Sequence, residues 1–302
     1  METVEIDFSK LSGIYPLLEK NHECAGTLVI KGQCVEKFTM SAGESDSVQT
    51  PLSRLNWHTH PLFLYIREDV CWGWPSGEDM REVIFFSLGG NKAHLVFSAE
   101  GVYILSVTDC FRNWLKTIKD PWKRGLIISL LEMVFKSTHN LRTIEYNKLY
   151  PLTPNDWIKM VEKMRLSYLF KRTQGSDPCG KITCSKITTH QSGDKKNTAM
   201  LLQDYADNYE GDSLTIYKVA KNGSIRGTKE VAMKDALEQL GELSETLGKT
   251  CAKESNAKIY NIKFFKNSGL PNDLFQLPPE KRKQIYKTDG EKIKPPKNKA
   301  KI

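Results

Sequence analysis

The chain has no run of about 18 uncharged apolar residues, the length a helix needs to cross a bilayer, so no transmembrane segment is expected. Its first residues, Met1-Glu2-Thr3-Val4-Glu5-Ile6-Asp7, are acidic and lack the basic-then-apolar order of a signal peptide. Cysteine is sparse. Seven residues, an odd number at irregular spacing, do not make a disulfide scaffold. Cys179 and Cys184, with His190 nearby, lack the second cysteine pair that a structural zinc knuckle needs. No internal repeat is visible. An intracellular location, cytoplasmic or nuclear, or a place within a virion, fits these absences.

Basic charge is also missing from most of the chain. The net charge is +8, but the tail from Lys281 to Ile302 holds nine Lys/Arg against two acids, which leaves the rest close to neutral. A body without a basic face is poorly suited to sequence-specific nucleic-acid readout. The tail offers salt-dependent attraction to nucleic acid or to an acidic protein partner.

What is present reads as an α/β chain of 302 residues with 39% hydrophobic content. Phe8, Leu11, Ile14, Leu17 and Leu18 fall at helical spacing over 8–20. Residues 25–32 and 34–40 read as a β-hairpin, 43–51 as a polar loop, and 54–60 as a strand. Pro75-Ser76 starts a helix with acids in its first turn, and Gly89-Gly90 stops it. Strands follow at 93–97 and 101–107, then helical patterns at 110–138, interrupted by Pro121, and at 154–169. Residues 172–197 are polar and linker-like. A helix is expected from Thr198, a strand at 213–219, an amphipathic helix at 231–247 and a strand at 257–265.

Chemistry concentrates around His58 and His60. One residue apart on an extended segment, their imidazoles point the same way, because strand side chains alternate with a period of two. A carboxylate at the start of the next helix, Asp79, can close a three-ligand zinc site with an open fourth position, as in catalytic zinc centres. Asp69 is a rival third ligand. The other histidines, His22, His94, His139 and His190, lack such company and read as surface or core groups, and Trp57 reads as core.

Three pieces, His58-Thr59-His60-Pro61, Ser76-Gly77-Glu78-Asp79 and the upstream Glu23-Cys24-Ala25-Gly26-Thr27-Leu28, resemble the JAMM/MPN metalloprotease family over about residues 5–140. The resemblance implies a cytidine-deaminase-like α/β sandwich, a mixed sheet flanked by helices. It implies Zn²⁺ held by His58, His60 and Asp79, with Glu23 as general acid/base and Ser76 as donor to the oxyanion. The implied activity is that of a deubiquitinase-like isopeptidase or peptidase acting on a ubiquitin-like conjugate through metal-activated water.

On this basis residues 1–170 form the metalloprotease-like domain, 171–198 a linker, 199–280 a small α+β accessory region and 281–302 the basic tail. The stretch from His60 to Asp79 exceeds the family's usual spacing. Its aromatic insertion, 62–74, could be a substrate flap, a partner-docking patch or packing against the C-terminal region. Because the second region and tail resemble an interaction module, the alternative reading is an assembly component of a larger complex built on the same domain, such as a minor capsid protein of a large virus.

Overall fold

The computed structural model describes residues 3–41, 50–149, 152–165, 213–247, 258–268 and 293–302. The expectations that fall on 171–198, on the helix from Thr198 and on Cys179, Cys184 and His190 lie outside these residues, as does most of the 43–51 loop. The mixed α/β class holds: a curled mixed sheet is flanked by helices. Among the described residues no helix is long and apolar enough to cross a membrane.

The first elements are β1 (Glu5–Ile6), a 3-10 segment (Phe8–Glu19), and the hairpin β2 (Ala25–Lys31) and β3 (Cys34–Ser41). The segment expected to be an α-helix is a 3-10 helix for two reasons. Phe8, Leu11 and Ile14 repeat every three residues, the 3-10 period, and Pro16 inside it has no N–H to donate. Next come β4 (Leu55–Thr59), α1 (Leu62–Arg67), α2 (Gly77–Leu88), β5 (Ala93–Phe97) and β6 (Gly101–Val107). Helix α1 lies inside the aromatic insertion.

Pro121 separates two helices, α3 (Asp109–Thr117) and α4 (Pro121–Lys136), and occupies the first position of α4, where the helix requires no backbone N–H. Then follow α5 (Ile144–Leu149), α6 (Pro154–Lys163), β7 (Ser213–Val219), β8 (Ile225–Ala232), α7 (Met233–Leu247), β9 (Tyr260–Lys266) and β10 (Ala300–Lys301). Val231 and Ala232, expected to be helical, belong to β8.

The main sheet runs β10-β1-β3-β2-β4-β5-β6-β9. Its pairs are antiparallel except β1–β3 and β4–β5. Strand β4, at the centre, is buried on both faces. Leu55 and Trp57 pack with Leu95 and Phe97 beneath the 3-10 segment. Asn56 and His58 alternate to the other face, where α2 and α4 lie. That second layer is a continuous core that also takes in Ile216 and Val219 of β7 and Ala236 and Leu240 of α7. Strand β9 pairs along the whole of β6, and β10, from the basic tail, pairs with β1 at the opposite edge.

Two features of α4 hold β7 against it. The buried Arg124 donates to the carbonyl of Leu115 at 3.0 Å and to those of Ile118 and Val219, so carbonyls at the end of α3 and the end of β7 share one guanidinium. One residue on, a Cβ at Gly125 would meet the carbonyl oxygen of Tyr217 at 1.7 Å. Gly125→Ala must therefore push β7 off the helix. We expect a loss of about 1–3 kcal/mol, read as a lowered thermal midpoint.

Candidate metal centre

His58 and His60 leave the C-terminal end of β4 side by side, and Asp79 comes from the first turn of α2. The helix begins there because Ser76 caps it: the Ser76 hydroxyl accepts from the Asp79 N–H at 3.1 Å, and the Asp79 carboxylate accepts from the Ser76 N–H at 2.6 Å. This reciprocal cap fixes the carboxylate in front of the imidazoles. Nε2 of His58 and Nε2 of His60 are 3.0 Å apart. Asp79 places Oδ1 at 3.1 Å from the first and Oδ2 at 3.2 Å from the second.

The other side of each ring is occupied. Nδ1 of His60 donates to the carbonyl of Gly73 at 2.7 Å, so in the neutral ring Nε2 carries the lone pair. Nδ1 of His58 lies 2.7 Å from Nε2 of His94. Both ligand imidazoles are buried. Lone pairs and a carboxylate so close together repel unless they share a cation or a proton. Tetrahedral bonds of about 2.0–2.1 Å would set donor atoms roughly 3.3 Å apart, close to the spacings found, and a nitrogen, nitrogen and oxygen set suits zinc. The donors fit a divalent ion.

The electrostatics agree. Burial disfavours the charged form of Asp79, but the two imidazoles outweigh it and hold the carboxyl well below its usual range. Burial likewise opposes charge on His60, yet Asp79 outweighs it and pushes that imidazole up to about 9. His94 is held well below the usual histidine range, first by burial and then by His58, and stays neutral.

The centre lies in the wall of a cavity of about 820 Å³ that Glu23, Tyr65 and Ser76 also line. Glu23 precedes β2, and Ala25 pairs with His58 across the sheet, so the Glu23 carboxylate adds its field to that at His60. Ser76 accepts one bond from Asp79, which leaves its hydroxyl hydrogen for another acceptor. Asp69 is not part of the cluster, which is formed by His58, His60 and Asp79. It is a turn residue with φ of 50°, a conformation that aspartate tolerates. Trp57 is core, stacked edge-on with Phe38 and Phe97.

The insertion 62–74 packs inward and lines the cavity. Buried Glu100 accepts from the Tyr65 hydroxyl at 2.5 Å, the Tyr103 hydroxyl at 2.7 Å and the Gly73 N–H at 2.9 Å. It thereby fixes Gly73, the residue whose carbonyl receives His60. Trp74 stacks on Trp157 of α6, and Ile293 packs against the Tyr65 and Val70 cluster. A Cβ at Gly73 would meet the Tyr65 hydroxyl at 2.1 Å, so only glycine lets this strap lie flat.

Sequence reasoning missed His94 and Glu100 as supports of the site. His94 looked isolated because its neighbours come from β4, and nothing in the spacing of Glu100 marks it.

Neither a family model nor a solved structure matches the chain. It is similar to Uncharacterized protein 3R of Frog virus 3 (isolate Goorha), with 24% identity over 115 residues, 38% of this chain and 26% of that protein. The chain therefore spans about a quarter of that relative's length.

Binding of a divalent ion must displace the proton that Asp79 holds on His60, whose imidazole is pushed up to about 9. Below that pH each ion bound releases a proton, whereas Asp79 is already ionised. Apparent zinc affinity should rise about tenfold per pH unit from neutral pH and level off above about 9, as measured against a competing chelator. Asp79→Ala should cost most of the affinity, and Asp69→Ala none.

Proposed function

We propose that the chain is a zinc-dependent isopeptidase or peptidase of the JAMM type, with an MPN-like fold, acting on a ubiquitin-like conjugate. The observation that carries this is the convergence of His58, His60 and Asp79 in one cavity with Glu23 and Ser76. Zinc, when bound, supplies a Lewis acid that polarises a carbonyl and lowers the pKa of water toward about 7. The remaining work falls to side chains of this chain.

Glu23 takes a proton from the attacking water as its oxygen bonds to the amide carbon, and returns that proton to the lysine nitrogen as the C–N bond breaks. Ser76 has its oxygen engaged by the Asp79 N–H and points its free hydrogen at the carbonyl oxygen as negative charge builds there. Asp79, kept ionised by its two imidazole neighbours and by the helix N-terminus, needs no deprotonation before it can ligate. The insertion, anchored through Glu100, forms one wall against which an extended C-terminal peptide would lie.

A second reading is favoured by the viral source of the similar protein: an assembly component built on the same domain, with the metal centre as a structural element. The two differ in the need for Glu23. Incubation with ubiquitin chains and with isopeptide-linked peptides should give cleavage that a chelator abolishes and zinc restores. Glu23→Gln should lower kcat by about 10²–10⁴-fold while zinc stays bound. A zinc-loaded protein that cleaves none of these, and whose biological role survives Glu23→Gln, is an assembly component.

A further inference from the structure

A chain of hydrogen bonds runs from two backbone carbonyls to the far side of His58, and among neutral side chains it fixes where each proton lies. The carbonyl of Ser53 can only accept, so the group 2.8 Å from it on Asn91 is the amide NH₂. That NH₂ also donates to Oδ1 of Asn56 at 2.9 Å. The Asn56 NH₂ is engaged in turn by the carbonyl of Pro51 at 3.1 Å. Two carbonyls thus fix both amides, and turning either one over would set like groups face to face.

Oδ1 of Asn56 then lies 3.0 Å from Nδ1 of His94, which must be the protonated nitrogen. In a neutral ring the remaining nitrogen of His94, Nε2, is an acceptor, and it lies 2.7 Å from Nδ1 of His58. His58 must donate there. All four side chains are buried, at 0% exposure for Asn56, 1% for His94, 3% for Asn91 and 4% for His58, so water does not compete for these bonds.

We infer that His94 and Asn56 are positioning residues, which hold His58 in the tautomer protonated at Nδ1 so that the Nε2 lone pair faces His60 and Asp79. The inference rests on the metal-centre reading for its purpose, but the tautomer is a property of the chain by itself. The device differs from that at His60, where one backbone carbonyl receives Nδ1 directly. At His58 the neighbouring strand β5 supplies a second imidazole, that of His94, as the acceptor in place of a carbonyl. A histidine in this role has a specific requirement: it must itself be held in one tautomer, and Asn56 does that.

Two measurements test this. In ¹⁵N-labelled protein with zinc added, the His58 Nδ1–H proton should show scalar coupling to His94 Nε2 across the hydrogen bond, and His94 should carry its own proton on Nδ1. If zinc does not bind, the metal-centre reading fails. The same spectrum without zinc at about pH 10, above the imidazole range, still decides the tautomer.

The second measurement is zinc affinity. His94→Leu removes the acceptor and should weaken binding by about 10–100-fold. His94→Gln keeps an acceptor near the Nε2 position and should recover affinity to within about threefold of the parent. A proton found on His58 Nε2 or on His94 Nε2 overturns the inference. So does zinc affinity in both variants equal to the parent, or a loss in His94→Gln as large as in His94→Leu. Should His94→Leu fail to fold, the spectrum of the parent and the affinity of His94→Gln decide the question.

Discussion

Two imidazole nitrogens and a carboxylate meet within 3.2 Å at the buried end of β4, a grouping that is stable only around a shared cation or proton. The rest of the molecule is organised to tolerate this. Strand β4 has a neighbour on each side and a packed layer on each face, so its side chains cannot turn away. Trp57, between Asn56 and His58, is sealed into the opposite core and pins the register. Each imidazole has its outer nitrogen engaged by a partner from elsewhere in the chain, which leaves only the inner nitrogens facing one another.

The supports reach the centre from different directions. The capping box of α2 brings Asp79 in with the helix start, so the signal that nucleates the helix also fixes the carboxylate beside the imidazoles. Glu100, in the β5–β6 turn, ties the insertion to β6 by accepting the Tyr65 hydroxyl and the Gly73 N–H together with the Tyr103 hydroxyl. Burying a carboxylate is costly unless it is hydrogen-bonded, and three donors offset that cost. Farther out, β9 extends the sheet beside β6, and Arg124 binds β7 to α4. Residues distant in sequence therefore stiffen the layer on which α2 rests.

The legible part of this protein is local. Alternation placed His58 and His60 on one side of a strand, and Pro75-Ser76 with Asp79 three residues later marked a helix start. The strands of β5 and β6 stood out as short apolar runs between turn residues. Residues 8–20 form a 3-10 helix and not an α-helix, because their apolar groups repeat every three residues and Pro16 has no N–H to bond the preceding turn. For the aromatic insertion the sequence leaves a flap, a docking patch and packing against the C-terminal region equally open. Its inward packing depends on Glu100 and on Trp157 of α6, 83 residues beyond Trp74.

By itself the sequence determined which side chains could become ligands and on which kind of element each would lie, since hydrogen bonding and side-chain periodicity act within a few residues. The tertiary structure decided that Asp79 and not Asp69 faces the imidazoles. It also decided that His94 and Asn56 lie behind His58, and that β9 pairs with β6. Those outcomes depend on which strands become neighbours. Strand order follows from burying two sheet faces at once, a global balance that no short stretch of the chain encodes.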